Sequence, residues 1–536
     1  MARTPLLRSL QELARDARAS KATGVPLEEL REIRAARKLS RRGFIAGAAA
    51  GAAFLAVPSR LRAQKSQPKI TIVGGGIAGL TCALTLRDHG YDSTVYEASG
   101  RLGGRMFSNT NYFAAGQVSE WCGELIDTGH TTIRNLASRF GLPLDNLHKA
   151  EPNGSTETYV FDGKYYPKTQ ANADFLDIAD IVQADTDSAP FPTTFDSFTQ
   201  AGFELDHLSV RGWIESRVPG GLSSPLGQLF EVAYNIEYGA ETTVQSSLNL
   251  LYLLGFQPTT DELDVFGESD ETFHIRGGNQ RLPLAIADSL SDQVITGQRL
   301  VRLAKTSGDR YALTFERGSG TYEVTSDLVV LALPFAVLAD VDTRDAGFDA
   351  RKQRAIANLG RGHNGKLNMQ FQQRGWDGKG PWPGKANGSS FSDTGIQETW
   401  DVTRAQPGTP GILVVYTGGN TTNALKTTSP FTTAPDGGVL KDVDHSLPRL
   451  AQVFPNLAWN GRAASSLPHK SPFFNNSYSY WQVGQYTDFA GSEGLPQDGV
   501  YFCGEHTSID FQGYMEGGAS TGKATGKGLV DLIKGK

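Results

Sequence analysis

Cysteine is scarce. The chain has 536 residues and only three thiols, Cys82, Cys122 and Cys503. They supply no disulfide framework and no C-x-x-C pair for a metal, and Cys82 and Cys503 read as small buried hydrophobes. The nine histidines are scattered without H-x-x-H or H-E-x-x-H spacing, so no metal centre is expected. No stretch is apolar over enough residues for a comfortable membrane span. A basic excess is missing too: the formal net charge is −6, which leaves no electrostatic footprint for nucleic acid. No His/Asp pair is evident as a general base. There is no internal repeat. The length suffices for two or three domains with ample core.

What is present divides the chain unevenly. Residues 1–42 hold 11 Lys/Arg against 5 Asp/Glu. Ser40-Arg41-Arg42-Gly43-Phe44-Ile45 follows, then an Ala/Gly-rich apolar run from Ala46 to Val57. This resembles a bacterial twin-arginine export signal, with cleavage expected near Ala63. The run is too short and too weakly hydrophobic for a stable anchor. The expected location is periplasmic or secreted, reached in the folded state through the twin-arginine translocase. Removal of residues 1–63 leaves a net charge of −14. The 39 residues before the arginine motif read as a basic amphipathic helix without an assigned role.

From Ile70 the pattern is that of a βαβ unit. Ile70 to Val73 is an apolar run of the kind expected for a buried parallel strand. Gly74, Gly76 and Gly79 follow in G-x-G-x-x-G spacing: a tight turn, a close approach for a pyrophosphate, and close helix–strand packing. The helix from Ile77 to His89 would point its free N–H groups at the phosphates. Glu97 ends the next strand, 18 residues after Gly79, where a carboxylate can accept ribose hydroxyls. Arg101 and Arg105 bracket Gly103-Gly104 directly afterwards. A nicotinamide site does not need this second Gly-Arg loop, whereas an extended FAD can use Arg105 against its pyrophosphate.

Three further segments carry chemistry. Val500 to Gly504-Glu505 reads as a short strand, and Gly513-Tyr514-Met515-Glu516-Gly517-Gly518 opens a helix running towards Ile533, with the positive end of its dipole at Tyr514. Ser477-Tyr478-Ser479-Tyr480 is aromatic-rich. In Gly365-Lys366-Leu367-Asn368-Met369-Gln370-Phe371 the alternation puts Leu367, Met369 and Phe371 on one strand face and Lys366, Asn368 and Gln370 on the other. Helices are expected over Ser223–Tyr234 and 246–254 and opening at 277–283. Strands are expected near 300–303, 311–315 and 327–334. The Pro/Gly/Thr-rich stretch near 376–440 reads as surface loops.

These motifs together resemble the flavin amine oxidase superfamily, which includes monoamine and polyamine oxidases and L-amino-acid oxidases. The resemblance covers most of residues 68–536. It implies an α/β fold: a discontinuous Rossmann-like FAD-binding domain (68–150, 271–345 and 485–536) and an α+β substrate-binding domain with a helical insert (151–270 and 346–484). It assigns FAD contacts to Gly74, Gly76, Ile77, Ala78, Gly79, Glu97, Ala98, Arg101, Gly104 and Arg105. It adds Gly123 and Glu124 beside the isoalloxazine, Leu300 at the adenine, Gly504 and Glu505 at the ribityl or phosphate region, and Met515 near the flavin. Tyr478 and Tyr514 would form the two walls of an aromatic cage, and Lys366 would hold a water near flavin N5 and assist reaction with oxygen. Ser477 stands where monoamine oxidases carry the cysteine that binds flavin, so FAD is expected to be non-covalent. Ile126 stands where several L-amino-acid oxidases carry an arginine for the substrate carboxylate.

The expected reaction is oxidation of a C–N bond by hydride transfer to flavin N5, with oxygen as acceptor. An L-amino acid, going to the 2-oxo acid, ammonia and hydrogen peroxide, is placed first. A primary amine or polyamine, going to an aldehyde and hydrogen peroxide, is the alternative. A desaturase-like FAD oxidoreductase comes after both. The partners expected are the small-molecule substrate and oxygen, and a homodimer is left open.

Overall fold

The structure, a computed structural model, describes residues 67–258, 262–378, 382 and 384–535. The Arg41-Arg42 motif, the apolar run after it and the expected cleavage region lie outside the described residues.

Strand β1 (Ile70–Val73) has all four residues buried, as an apolar run covered on both faces requires. The chain turns at Gly74, φ 113°, into helix α1 (Ile77–Asp88) and returns as β2 (Thr94–Tyr96), parallel to β1. Leu328–Leu331 pairs with the other side of β1, with Val500–Phe502 beyond it, and Val294–Ile295 lies outside β2. The result is a five-stranded, all-parallel sheet centred on β1.

Ten of the twelve residues of α1 are buried. One side packs on the sheet and another on the C-terminal helix, Met515–Ile533. That contact is made by small residues every fourth position. A Cβ on Gly518 would stand 2.9 Å from Ile77 Cγ2, one on Gly526 would stand 2.8 Å from Thr85 Cβ, and one on Gly522 would overlap the Ala78 carbonyl. Only glycine lets the two backbones come this close.

A second sheet has eight strands, in the order Phe431–Thr433, Trp459–Ser466, Asn364–Phe371, Gly411–Gly418, Glu398–Asp401, Ala386–Ser392, Thr156–Phe161 and Lys164–Tyr166. This corrects the reading of 376–440 as surface loops. Four of these strands fall in that stretch, and seven of the eight residues in Gly411–Gly418 are buried. The polar residues that made it look loop-like pair with one another: Ser390 and Thr399 hydroxyls bond at 2.7 Å across adjacent strands. Gly411 makes room for the Trp376 ring.

The Lys366 strand, Asn364–Phe371, has the expected two faces, but neither meets solvent. Leu367, Met369 and Phe371 pack against Val439, Val443 and Leu450 of the helix Gly437–Val453. The polar face is closed by the segment 114–124.

Six helices lie between Lys168 and Leu254; Lys168–Leu176 and Pro225–Tyr238 pack on this sheet, and the other four pack against helices of the same group. The helix expected from Ser223 runs from Pro225 to Tyr238. Ser224 caps it by accepting the Gly227 N–H, and Gly239, φ 63°, ends it. Helices Ser247–Leu254 and Arg281–Leu290 and strands Arg299–Lys305 and Tyr311–Arg317 stand where the sequence pattern placed them. Among the described residues no helix is long and apolar enough to cross a membrane.

Candidate active site

A single cavity of about 730 Å³ runs from the β1–α1 turn to the inner face of the eight-stranded sheet. The expected cofactor and cage residues all line it except Gly79. At Gly79 the helix crosses the turn, and a Cβ would overlap the Gly74 carbonyl oxygen and stand 3.2 Å from Ala332 Cβ.

The turn end is built for an anion. Helix α1 starts at Gly76 without a side-chain cap and without an acidic residue in its first turn. Gly76 and Gly104 face each other so closely that a Cβ on Gly104 would be 3.2 Å from Gly76 Cα. Glu97 Oε2 accepts the Gly75 N–H at 2.7 Å, and its Oε1 accepts the Ser99 N–H at 2.8 Å, so the carboxylate is fixed beside the turn. Ala98 and Leu300 line the same end.

Arg105 joins segments far apart in sequence. Its Nη1 donates to the Ser477 carbonyl at 2.8 Å and to Glu505 Oε1 at 3.0 Å. Burial pushes the Glu505 carboxyl up, but the Arg105 charge and the Gly513 N–H outweigh it and hold it below the usual range. Arg101 lies over the Phe107 ring at 3.9 Å and donates to the Gly104 carbonyl at 2.7 Å, shaping the second Gly-Arg loop. Gly123 lies against Met515, and a Cβ there would be 2.9 Å from its sulfur.

Lys366 is 8% exposed. Its Nζ donates to the Cys122 carbonyl at 2.8 Å and to Glu124 Oε2 at 2.7 Å. The other Glu124 oxygen accepts the Trp400 indole N–H at 2.8 Å. Burial pushes the Glu124 carboxyl up, but the Lys366 charge and these hydrogen bonds hold it below the usual range. Glu124 therefore fixes Lys366 in place.

Beyond Lys366 the cavity is lined by Tyr416, Tyr478 and Tyr514. The Tyr478 and Tyr416 hydroxyls bond at 2.9 Å. Tyr514 Oη lies 3.4 Å from Glu237 Oε1 and 3.3 Å from Ser269 Oγ. Three carboxyl groups absent from the sequence-based reading line this end: Glu237, Glu271 and Glu398. Burial, then the charges of Asp127 and Glu237, push Glu271 up to about 8. Burial and the charges of Glu271 and Glu237 push Glu398 well above its ordinary value.

The match to known proteins now becomes decisive. Residues 77–526 match the family described as flavin containing amine oxidoreductase. The chain belongs to this family. It is 24% identical to YobN of Bacillus subtilis (strain 168), provisionally named an L-amino-acid oxidase, over 86% of this chain and 94% of that protein. It is 23% identical to polyamine oxidase 7 of Oryza sativa subsp. japonica, over 85% of this chain and 94% of that one. Its fold matches the cyclohexylamine oxidase of Brevibacterium oxydans IH-35A, with a TM-score of 0.72 at 18% identity, covering 87% of this chain and all of that one.

This flavin amine oxidoreductase takes FAD, held non-covalently. The residues present fit that cofactor: the uncapped N-terminus of α1, the glycine cradle and the fixed Glu97 at one end, Arg105 in the middle, and Gly123 and Met515 at the other. The Ser477 hydroxyl donates to Asn364 Oδ1 at 2.6 Å. The C-terminal helix also starts without a side-chain cap. Glu516 in its first turn reaches away, accepting the Thr132 and Ile133 N–H groups at 2.9 and 2.8 Å. The acidic side chain thus serves another helix N-terminus.

One buried pairing was not legible in the sequence. A buried His/Asp pair does exist: His130 Nε2 is 3.3 Å from Asp127 Oδ2, and the His130 ring stands edge-on to Tyr514, 5.2 Å between centroids. Its members are three residues apart across a turn, in no recognised motif, so only tertiary packing reveals the pairing. Ile126 beside it is fully buried, with backbone hydrogen bonds to Phe273.

Proposed function

We propose that this chain oxidises the C–N bond of a cationic amine, a primary amine or a polyamine, to the imine, which water hydrolyses to the aldehyde. The observation that carries this reading is the acidic lining of the substrate end. Glu237, Glu271 and Glu398 line it, whereas the Lys and Arg side chains lining the cavity among the described residues are Arg101, Arg105, Arg299 and Lys366. Arg101 and Arg105 serve the Gly-Arg loop and Glu505, Arg299 is largely exposed, and Lys366 is paired with Glu124. His506, also in the lining, is pushed down to about 4 by burial and is neutral near pH 7. A substrate carboxylate would meet other acidic groups here, whereas a second ammonium can donate hydrogen bonds to them, and its attraction strengthens as Glu271 ionises near pH 8.

When bound, FAD supplies the hydride acceptor and passes the electrons to oxygen, giving hydrogen peroxide. The chain does the rest. Its carboxyl groups receive the cation and, in their ionised form, take a proton from it, because only the neutral amine has a lone pair to drive hydride departure. Tyr478 and Tyr514 orient the nitrogen. Lys366 holds a proton donor at the far wall and assists the oxygen reaction. We read the parallel sheet as the FAD-binding part, and the eight-stranded sheet with its helices as the substrate-binding part. Ser40-Arg41-Arg42 supports export of the folded, FAD-loaded protein to the periplasm or beyond.

Oxidation of an L-amino acid to the 2-oxo acid, ammonia and hydrogen peroxide is the second reading, favoured by the similarity to YobN. A peroxide assay over the common L-amino acids, putrescine, spermidine and tyramine separates the two. The amine reading predicts turnover with the amines, and turnover confined to amino acids would replace it with the second.

A further inference from the structure

Behind the Tyr514 wall lies a buried polar cluster that the reaction as described does not use. Asp127 is 1% exposed. Its Oδ2 accepts the Ser269 hydroxyl at 3.0 Å and faces His130 Nε2. Its Oδ1 accepts the Glu271 N–H at 3.1 Å. His130 Nδ1 accepts the Asp127 N–H at 2.9 Å, which assigns the imidazole proton to Nε2, beside the carboxylate.

The direction of these bonds has a consequence at Tyr514. A carboxylate accepts and does not donate. Ser269 therefore commits its one proton to Asp127 and turns a lone pair towards Tyr514 Oη. Ser269 Oγ and Glu237 Oε1, each at hydrogen-bond distance from that phenol, then act as acceptors for its proton. What Tyr514 turns to the cavity is a lone pair and a ring made electron-richer by a chain ending on a carboxylate. The same carboxylate holds Glu271 in the left-handed backbone region, φ 45°, a conformation that side chains rarely adopt, while the residue lines the cavity.

We propose that Asp127, braced by His130, is a positioning residue of the amine site: through Ser269 it makes Tyr514 a hydrogen-bond acceptor towards the substrate, and through its second oxygen it presents Glu271 to the same cavity. Ser269 is the link that favours substrates rich in N–H donors. The inference rests on the amine reading.

The test uses FAD-loaded wild type and the Ser269→Ala, Ser269→Thr, Tyr514→Phe and Ser269→Ala/Tyr514→Phe variants. Putrescine and spermidine are added anaerobically, and flavin reduction is followed by stopped flow. Ser269→Ala is expected to slow reduction about threefold to tenfold, the scale of one lost hydrogen bond. Ser269→Thr should restore most of the rate. In the Tyr514→Phe background Ser269→Ala should add less than about twofold, because no hydroxyl is left to orient. A Ser269→Ala variant at wild-type rate, or one whose loss is undiminished in the Tyr514→Phe background, would overturn the inference. If neither amine reduces the wild type, the amine reading itself fails and the inference falls with it.

Discussion

Burial decides what each charged side chain at this site can do. Lys366 and Glu124 neutralise each other out of water, so removing one partner strands the other. Lys366→Met should cost roughly 3–5 kcal/mol in urea unfolding and slow reoxidation by oxygen. Adding Glu124→Gln should recover stability without recovering the oxygen reaction; recovery of both would make Lys366 purely structural. Glu271 behaves differently. Its carboxyl titrates at about 8 in the fold against an ordinary 4.5, so between those values the folded chain holds a proton that the unfolded chain has released. Stability contributed by this group therefore falls as pH rises through that window, while attraction for a cation grows as the carboxylate forms. The KM for putrescine should drop as pH rises through about 8, and Glu271→Gln should flatten that part of the profile. At this scale the sequence is read only partly. Lys366, Tyr478 and Tyr514 sit in recognisable runs, but Glu271, Asp127 and Ser269 gain their meaning from contacts between segments about 140 residues apart.

Among the elements, the contact between α1 and the C-terminal helix carries the dinucleotide turn. Gly522 abuts the Ala78 carbonyl, so Gly522→Val must push α1 away from its place below the turn. The expected loss is about 1–3 kcal/mol of stability together with bound FAD, read as a falling ratio of flavin to protein absorbance. Gly528, on the same helix, has open space where a Cβ would go. Gly528→Ala should be neutral or stabilise by up to about 1 kcal/mol. Equal effects at the two positions would remove the packing argument. The βαβ unit was legible because its turn, helix and acid follow one another locally. The strands between Ala386 and Gly418 were not, because Ser, Thr and Gly there are satisfied by neighbours in other strands, and single-segment patterns do not show a cross-strand pair.

Across the whole molecule, one cavity collects residues from Val73 to Gly518, and the Arg105–Glu505 ion pair joins two parts of its wall 400 residues apart. The fold class followed from the two ends of the chain, while the acidic lining of the substrate end did not, since its three carboxyl groups come from a helix end, a loop and a strand. Export belongs to this scale too: Arg41→Lys/Arg42→Lys should leave the FAD-loaded protein in the cytoplasmic fraction, and unchanged fractionation would remove the twin-arginine reading. The central claim, an FAD site that oxidises cationic amines, is tested most directly by anaerobic titration of the holoenzyme, followed at the flavin absorbance. The account predicts bleaching by putrescine or spermidine at lower concentration than by any L-amino acid. Bleaching by L-amino acids alone would contradict it.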